Sequence, residues 1–317
     1  MSSCDSNTKF KGVDSISQDL LLNILETNFK MFLDWGFLNI GAWFDATINT
    51  STIYGGTEHS SLQSVADPGY TDGQVWQGVR KDWVWETVVY KETSPTAISG
   101  VHVDSTFIPY SNNSFIVDYP NGKIIFDNPI SINSNVQLEY SYRTVQTHRS
   151  SESPWVNILQ YNSMNTSNTD IQQKNDGDWS IGGNHRVQMP CIIIEAIPRS
   201  RSRPYEIGNT LLWLEQDIGF YILAENKNDR NKLLDIIRLQ QDLTIQLFDT
   251  NILAQNDLFP LDYNGDLQDN ALMYPDIITY YPWRKCLLKN INLFELDSPV
   301  PSLHRGFAKV TAEIIST

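Results

Sequence analysis

Cysteine is scarce in this chain. Cys4, Cys191 and Cys286 lie far apart and form no C-x-x-C pair. That spacing excludes a disulfide framework and a zinc-finger pattern, and it fits synthesis in a reducing compartment. Long apolar runs are missing too: the strongest, Cys191-Ile192-Ile193-Ile194, is far too short for a bilayer span. Residues 1–11 are polar with no apolar core, so no signal peptide is expected there. Positive charge is in the minority, with 23 Lys and Arg against 37 Asp and Glu and a net charge of −14. Such a surface repels a phosphate backbone and argues against specific nucleic-acid binding. G-x-G-x-x-G, the P-loop, G-x-S-x-G and H-E-x-x-H are all absent. No catalytic centre, cofactor site or metal site is therefore expected, and no membrane partner.

What is present is enough to build ordinary cores. The chain has 317 residues, 41% of them hydrophobic, which suggests two domains. Leu21, Leu25, Phe29 and Phe32 recur at i, i+4, i+8 and i+11, which predicts a helix over 15–34 capped by Asp14 or Ser17 and stopped at Gly36. Leu233, Leu234, Ile236 and Ile237 predict a second helix over 229–242 with Asp229 as its cap. Residues 41–149 change texture to short β-rich runs parted by Gly, Asn, Ser, Asp and Pro. The strongest hairpin signal there is 115–126, where Asn121-Gly122 suits a type I′ turn. Residues 136–142 alternate as a strand, and 87–90 and 101–103 add strand signal. This region reads as an antiparallel sandwich or small barrel of about 100 residues.

Residues 150–188 read as a polar, loop-rich connector. Strands follow at 191–197, 210–214 and 218–224, the last two split by a turn at Glu215-Gln216-Asp217. A strand at 243–248 comes after the second helix, then a long loop, then a closing strand at 307–314 in which Ala308, Val310, Ala312 and Ile314 alternate with polar residues. The fold class is thus α+β: an antiparallel sheet packed with two helices (residues 1–40 and 150–317), interrupted by an all-β, sandwich-like insert at 41–149.

Four groups of residues invite chemistry. His59, His102, His148, His185 and His304 are isolated, and His148, near Ser150 and Ser151, reads as a surface histidine. Asp262, Asn264, Asp266 and Asp269 surround Gly265, a pattern hard cations can use, but the spacing is not that of an EF-hand and Asx turns explain it. Trp76, Trp83 and Trp85 could stack on sugar rings if exposed, although core tryptophans are commoner. Arg199, Arg201 and Arg203 form a basic cluster that reads as a solvated loop.

The order of elements also carries a resemblance. Residues 189–195, then Tyr205-Glu206-Ile207-Gly208, then 218–226 leading into 230–237, follow the element order of tailed-bacteriophage neck proteins, and residues 118–127 are similar to hairpins of phage virion proteins. The chain resembles the tail-terminator and head–tail connector family over about half its length. That resemblance implies a structural protein of the virion, made in the host cytoplasm, that assembles as a ring, commonly a hexamer, between head and tail. Its partners would be copies of itself and neighbouring tail-tube, sheath or connector proteins. The alternative is a receptor- or carbohydrate-binding fibre module that uses the Trp-bearing insert.

Overall fold

The computed structural model describes residues 18–48, 53–54, 57–86, 89, 93–162, 171–175, 177–182, 185–204, 212–298 and 300–316. Asp14, Ser17, Cys4, most of the 87–90 strand signal and Tyr205–Gly208 fall outside them. Its longer helices are α1 (Gln18–Asn39), α2 (Trp155–Asn162) and α3 (Lys227–Arg238). The fold is mixed α+β, with curled antiparallel sheets.

α1 runs past the expected stop because its apolar stripe does: Leu25, Phe29, Leu33 and Phe37 are all buried. Gly36 sits inside the helix. The chain turns at Gly41, whose φ of +85° suits a residue without Cβ. There the Gly41 N–H donates to Leu38 O and the Ala42 N–H to Phe37 O, both at 2.9 Å, the paired bonds of a Schellman stop. α3 begins earlier than expected. Its cap is Asn226, whose side chain accepts from the Asp229 N–H at 2.8 Å, while Asp229 accepts in return from Asn226 Nδ2 at 2.7 Å.

The main sheet has six strands in the order Gln146–Arg149, Cys191–Pro204, Leu212–Ala224, His304–Ser316, Pro282–Leu296 and Thr244–Phe248. The first pair is parallel and the rest are antiparallel. Three expectations need correction here. Gln146–Arg149 lies in the stretch expected for the insert, yet it pairs with Cys191–Ile194 of the main sheet. Glu215-Gln216-Asp217 is no turn: Leu212–Ala224 is one strand, and buried Gln216 donates from Nε2 to Ile197 O, filling a bulge between Ala196 and Ser200. Pro282–Leu296, expected as loop, is a full partner of the closing strand.

α1 and α3 lie on one face of this sheet and share its core. Phe29 meets Phe220 edge-on at 5.8 Å, and Leu234 lies so close over Gly306 that a Cβ there would sit 3.0 Å from it. Asn28, also buried, bonds both polar groups of Phe248 and so ties α1 to the Thr244–Phe248 edge strand (3.1 and 2.9 Å). The supposed connector is also structured. α2 and a three-stranded sheet (Ile171–Asn175, Asp178–Ile181, His185–Gln188) cover the opposite face around Cys191, Ile193 and Leu223, with Trp155 and Trp179 in that core. Residues 163–170 of that stretch lie outside the described ones.

The insert is all-β. Seven antiparallel strands run in the order Thr106–Pro109, Gly100–Val103, Val136–Leu138, Ser61–Ser64, Val75–Gln77, Lys123–Phe126 and Phe115–Asp118. Ser61–Ser64 turns the corner: Ser61 and Leu62 pair with one group of strands, Gln63 and Ser64 with the other. Trp43–Ala46 and Tyr140–Arg143 form a separate ladder beside it. The 115–126 hairpin exists, but Asp118 pairs with Lys123, so its loop spans Tyr119–Gly122 and is longer than a two-residue type I′ turn. The Asp118 carboxylate shapes it by accepting from the Asn121 N–H at 3.1 Å, and Gly122 takes φ +64°.

Candidate functional site

Where the insert meets α1, two groups of buried charge lie close enough to act on one another, Arg143 on Asp34 and Lys30 on Asp82. Lys30 and Asp34 stand one turn apart on α1 and pair at 2.6 Å. Thr147, on the edge strand Gln146–Arg149, donates its hydroxyl to Asp34. Arg143, at the end of the insert, is 2% exposed. Its guanidinium reaches Glu86 at 2.5 Å and Asp82 at 3.5 Å and lies over the Trp85 ring at 4.6 Å. Burial is the largest influence on every one of these groups. It pushes Asp82 and Glu86 up, against the pull of Arg143. For Asp34 it is outweighed by Lys30 and Arg143, which hold the carboxyl below its ordinary range. Lys30 is held up by Asp34 and Asp82 against the same burial.

Beside this hub opens a cleft of about 830 Å³, within the ordinary range of ligand pockets. α1 contributes Lys30, Met31 and Asp34. The insert contributes Lys81, Asp82 and Trp85. His148, Trp155, Arg186 and the 259–262 turn complete it. The far wall is fastened by side chains of the three-stranded sheet. Arg186 pairs with Asp178 at 2.9 Å and donates to Gly78 O at 3.3 Å, and Gln188 donates to Val79 O at 2.9 Å and accepts from the Lys81 N–H at 2.9 Å. Lys81 Nζ donates to Arg186 O at 3.2 Å. Burial lowers its pKa.

His148 is not a surface histidine. Its backbone pairs with Ile193, its ring meets Trp155 edge-on at 5.3 Å, and its Nε2 is buried with no hydrogen-bond partner. Burial, then the charges of Lys81 and Lys30, push it down to about 3. His185 lines the same cleft, whereas His59 is buried in the insert, edge-on to Phe44 and Tyr142. Trp76, Trp83 and Trp85 are core residues, at 2%, 0% and 9% exposure, so none presents an open indole face. In the 262–269 turn, Asp262 Oδ1 accepts from the Asn264 and Asp266 N–H groups at 2.8 and 2.9 Å, and Asp266 accepts from the Tyr110 hydroxyl at 2.6 Å. The carboxylates thus shape the loop and dock it on the insert. Among the described residues no three His, Cys, Asp or Glu side chains gather as metal ligands. Lys30, Asp34, Lys81 and Arg143 were not singled out by sequence reasoning; the i,i+4 spacing of Lys30 and Asp34 was the one signal available for them.

The main sheet also has a face that the helices do not cover. Beyond the part under α2, it carries Tyr221, Phe307 and Phe294 in a row, with ring centroids 4.7 and 6.0 Å apart and Phe294 49% exposed. Next come the pairs Lys309–Asp217 at 2.7 Å and Lys289–Glu313. At the far end Trp213 lies under Arg203 (5.1 Å) and Lys289 (5.9 Å). Arg201 and Arg203 stand exposed on a strand, not on a loop.

A scan against protein-family models finds no match, and a search of curated proteins finds none either. No helix among the described residues is long and apolar enough to cross a membrane.

Proposed function

We propose that this chain is a structural virion protein of a tailed bacteriophage, a tail terminator or head–tail connector that builds a ring in the neck and acts by protein–protein contact without catalysis. The observation that carries the reading is the two-sided main sheet. One face is filled by α1 and α3, while much of the other carries two cross-strand ion pairs with aromatic rings at either end. Tyr, Trp, Phe and Arg are the residues enriched at protein interfaces, and on this face Phe294 is exposed while Tyr221, Phe307 and Trp213 are half-buried. Strand edges add to this. Among the described residues, strand pairing on the outer side of Cys191–Pro204 ends at Ile194, with the Ala196 N–H taken by Glu26, and backbone bonding on the outer side of Pro282–Leu296 ends at Leu288. Two different free edges on one chain suit a head-to-tail contact, and such contacts close into rings.

The insert projects from this frame as a contact surface for neighbouring tail-tube, sheath or connector proteins, and the ring copies are this chain itself, as a hexamer in the tail-terminator pattern. Since Trp76 and Trp83 have no exposed ring face, we do not extend the reading to glycan binding through them. Phe294→Glu combined with Trp213→Glu tests the reading. It is expected to leave the circular dichroism of the monomer intact and to abolish assembly in sedimentation. Unchanged assembly by this double variant would remove the open face from the proposal.

A further inference from the structure

We infer that the cleft between α1, the insert and the three-stranded sheet receives a single carboxylate carried on an apolar peptide segment of a partner chain. Charge accounting leads there. Of the cations that line the cleft, Lys30, Lys123, Arg149 and Arg186 each have a carboxylate partner, in Asp34, Asp67, Glu152 and Asp178. Lys81 has none among the described residues, and its ammonium makes one hydrogen bond, to Arg186 O at 3.2 Å. An ammonium has three donors to place, so two remain. His148 Nε2, in the same lining, is buried without a partner. A neutral imidazole can carry its proton on that nitrogen and donate it.

One carboxylate has two oxygens, one for the Lys81 ammonium and one for His148 Nε2, and its charge meets the one lining cation that no carboxylate among the described residues contacts; of the other lining carboxylates, Asp82 is taken by Arg143 and Asp262 by the N–H groups of its own turn. A phosphate dianion fits worse, because Asp34 and Asp82 line the same space and repel a second negative charge. The rest of the ligand is fixed by the walls: Met31, Trp155, Pro154, Phe259 and Leu261 offer apolar surface. A volume of about 830 Å³ admits several residues of peptide. This inference does not require the ring: a carboxylate-bearing segment from any partner chain would bind in the same way.

The test uses the full chain labelled at histidine Cε1, with the His148 signal assigned by its loss in His148→Gln. The probe is acetyl-Leu-Glu-Leu-amide, with acetyl-Leu-Gln-Leu-amide and inorganic phosphate as comparisons. The His148 signal is expected to shift saturably with the Glu peptide. The Gln peptide should bind at least about tenfold more weakly, the loss of one charge-assisted hydrogen bond. Lys81→Met should abolish the difference between the two peptides. Equal responses to Glu and Gln peptides, or no saturable shift up to about 10 mM, a level at which even feeble binding is seen, would overturn the inference. So would a response to phosphate as strong as that to the Glu peptide. Because the peptide comparison is made on the unaltered chain, it decides the matter even if Lys81→Met fails to fold.

Discussion

Arg143 holds together parts of the chain that are distant in sequence. Its guanidinium donates a hydrogen bond to Glu86 and attracts Asp82 from 3.5 Å, both in a place where water does not reach. Removing one partner of a buried pair leaves the others charged and unmatched, so Arg143→Met is expected to lose about 3–5 kcal/mol in urea unfolding. A loss under about 1 kcal/mol, the scale of an exposed pair, would show that the hub is solvated. His148 supplies a pH signature. Its folded pKa lies near 3 against an ordinary 6.5, so the unfolded chain takes up a proton that the folded chain refuses. Its contribution to stability is whole above pH 6.5 and drains away as pH falls from there toward 3. Lys81, Lys30, Asp34 and the Trp155 ring face this imidazole. Lys81→Met should therefore raise the His148 pKa, read by NMR titration; an unchanged value would mean that the Lys81 charge does not act on it.

At the scale of elements, the ends of helices are decided by a few local bonds. Asn226→Ala deletes the side-chain acceptor that holds the Asp229 N–H and should cost about 1 kcal/mol. Gly41→Ala forces an L side chain into φ +85° and should cost about 1–2 kcal/mol. Thermal unfolding reads both, and a neutral Gly41→Ala would mean that α1 can end elsewhere. Where periodicity ran unbroken, the sequence was legible: the stripe of α1, the Leu233 to Ile237 cluster and the alternation of the closing strand all appear in the fold. It misled where a bulge shifts the pattern. Pro282–Leu296 alternates Cys286 and Leu288 inward, then slips at Asn290, which takes φ +48°, so its second half reads as loop. Leu212–Ala224 looked broken because Gln216 is polar, yet that side chain is buried to fill its neighbour's bulge. The cleft was illegible for a different reason: Lys81 and His148 share it only through long-range folding, and neither lies in a local motif.

The molecule as a whole is one frame sheet with a β insert locked to it. Lys81–Gln188, Gln188–Val79, Arg186–Gly78 and Tyr110–Asp266 all cross between the two parts. A unit fastened at so many points moves as a body, which suits a component that must hold a fixed place among neighbours. The acidic surface and the pairs on the open face also set how assembly answers to salt. Lys309–Asp217 is partly exposed, so raising ionic strength screens it while leaving the aromatic row untouched. The mass of the purified 36.2 kDa chain in sedimentation, followed over rising concentration and with a candidate tail-tube protein added, tests the central claim most directly. The account predicts one closed species of fixed mass, a whole multiple of the chain; a monomer under every one of these conditions would contradict it.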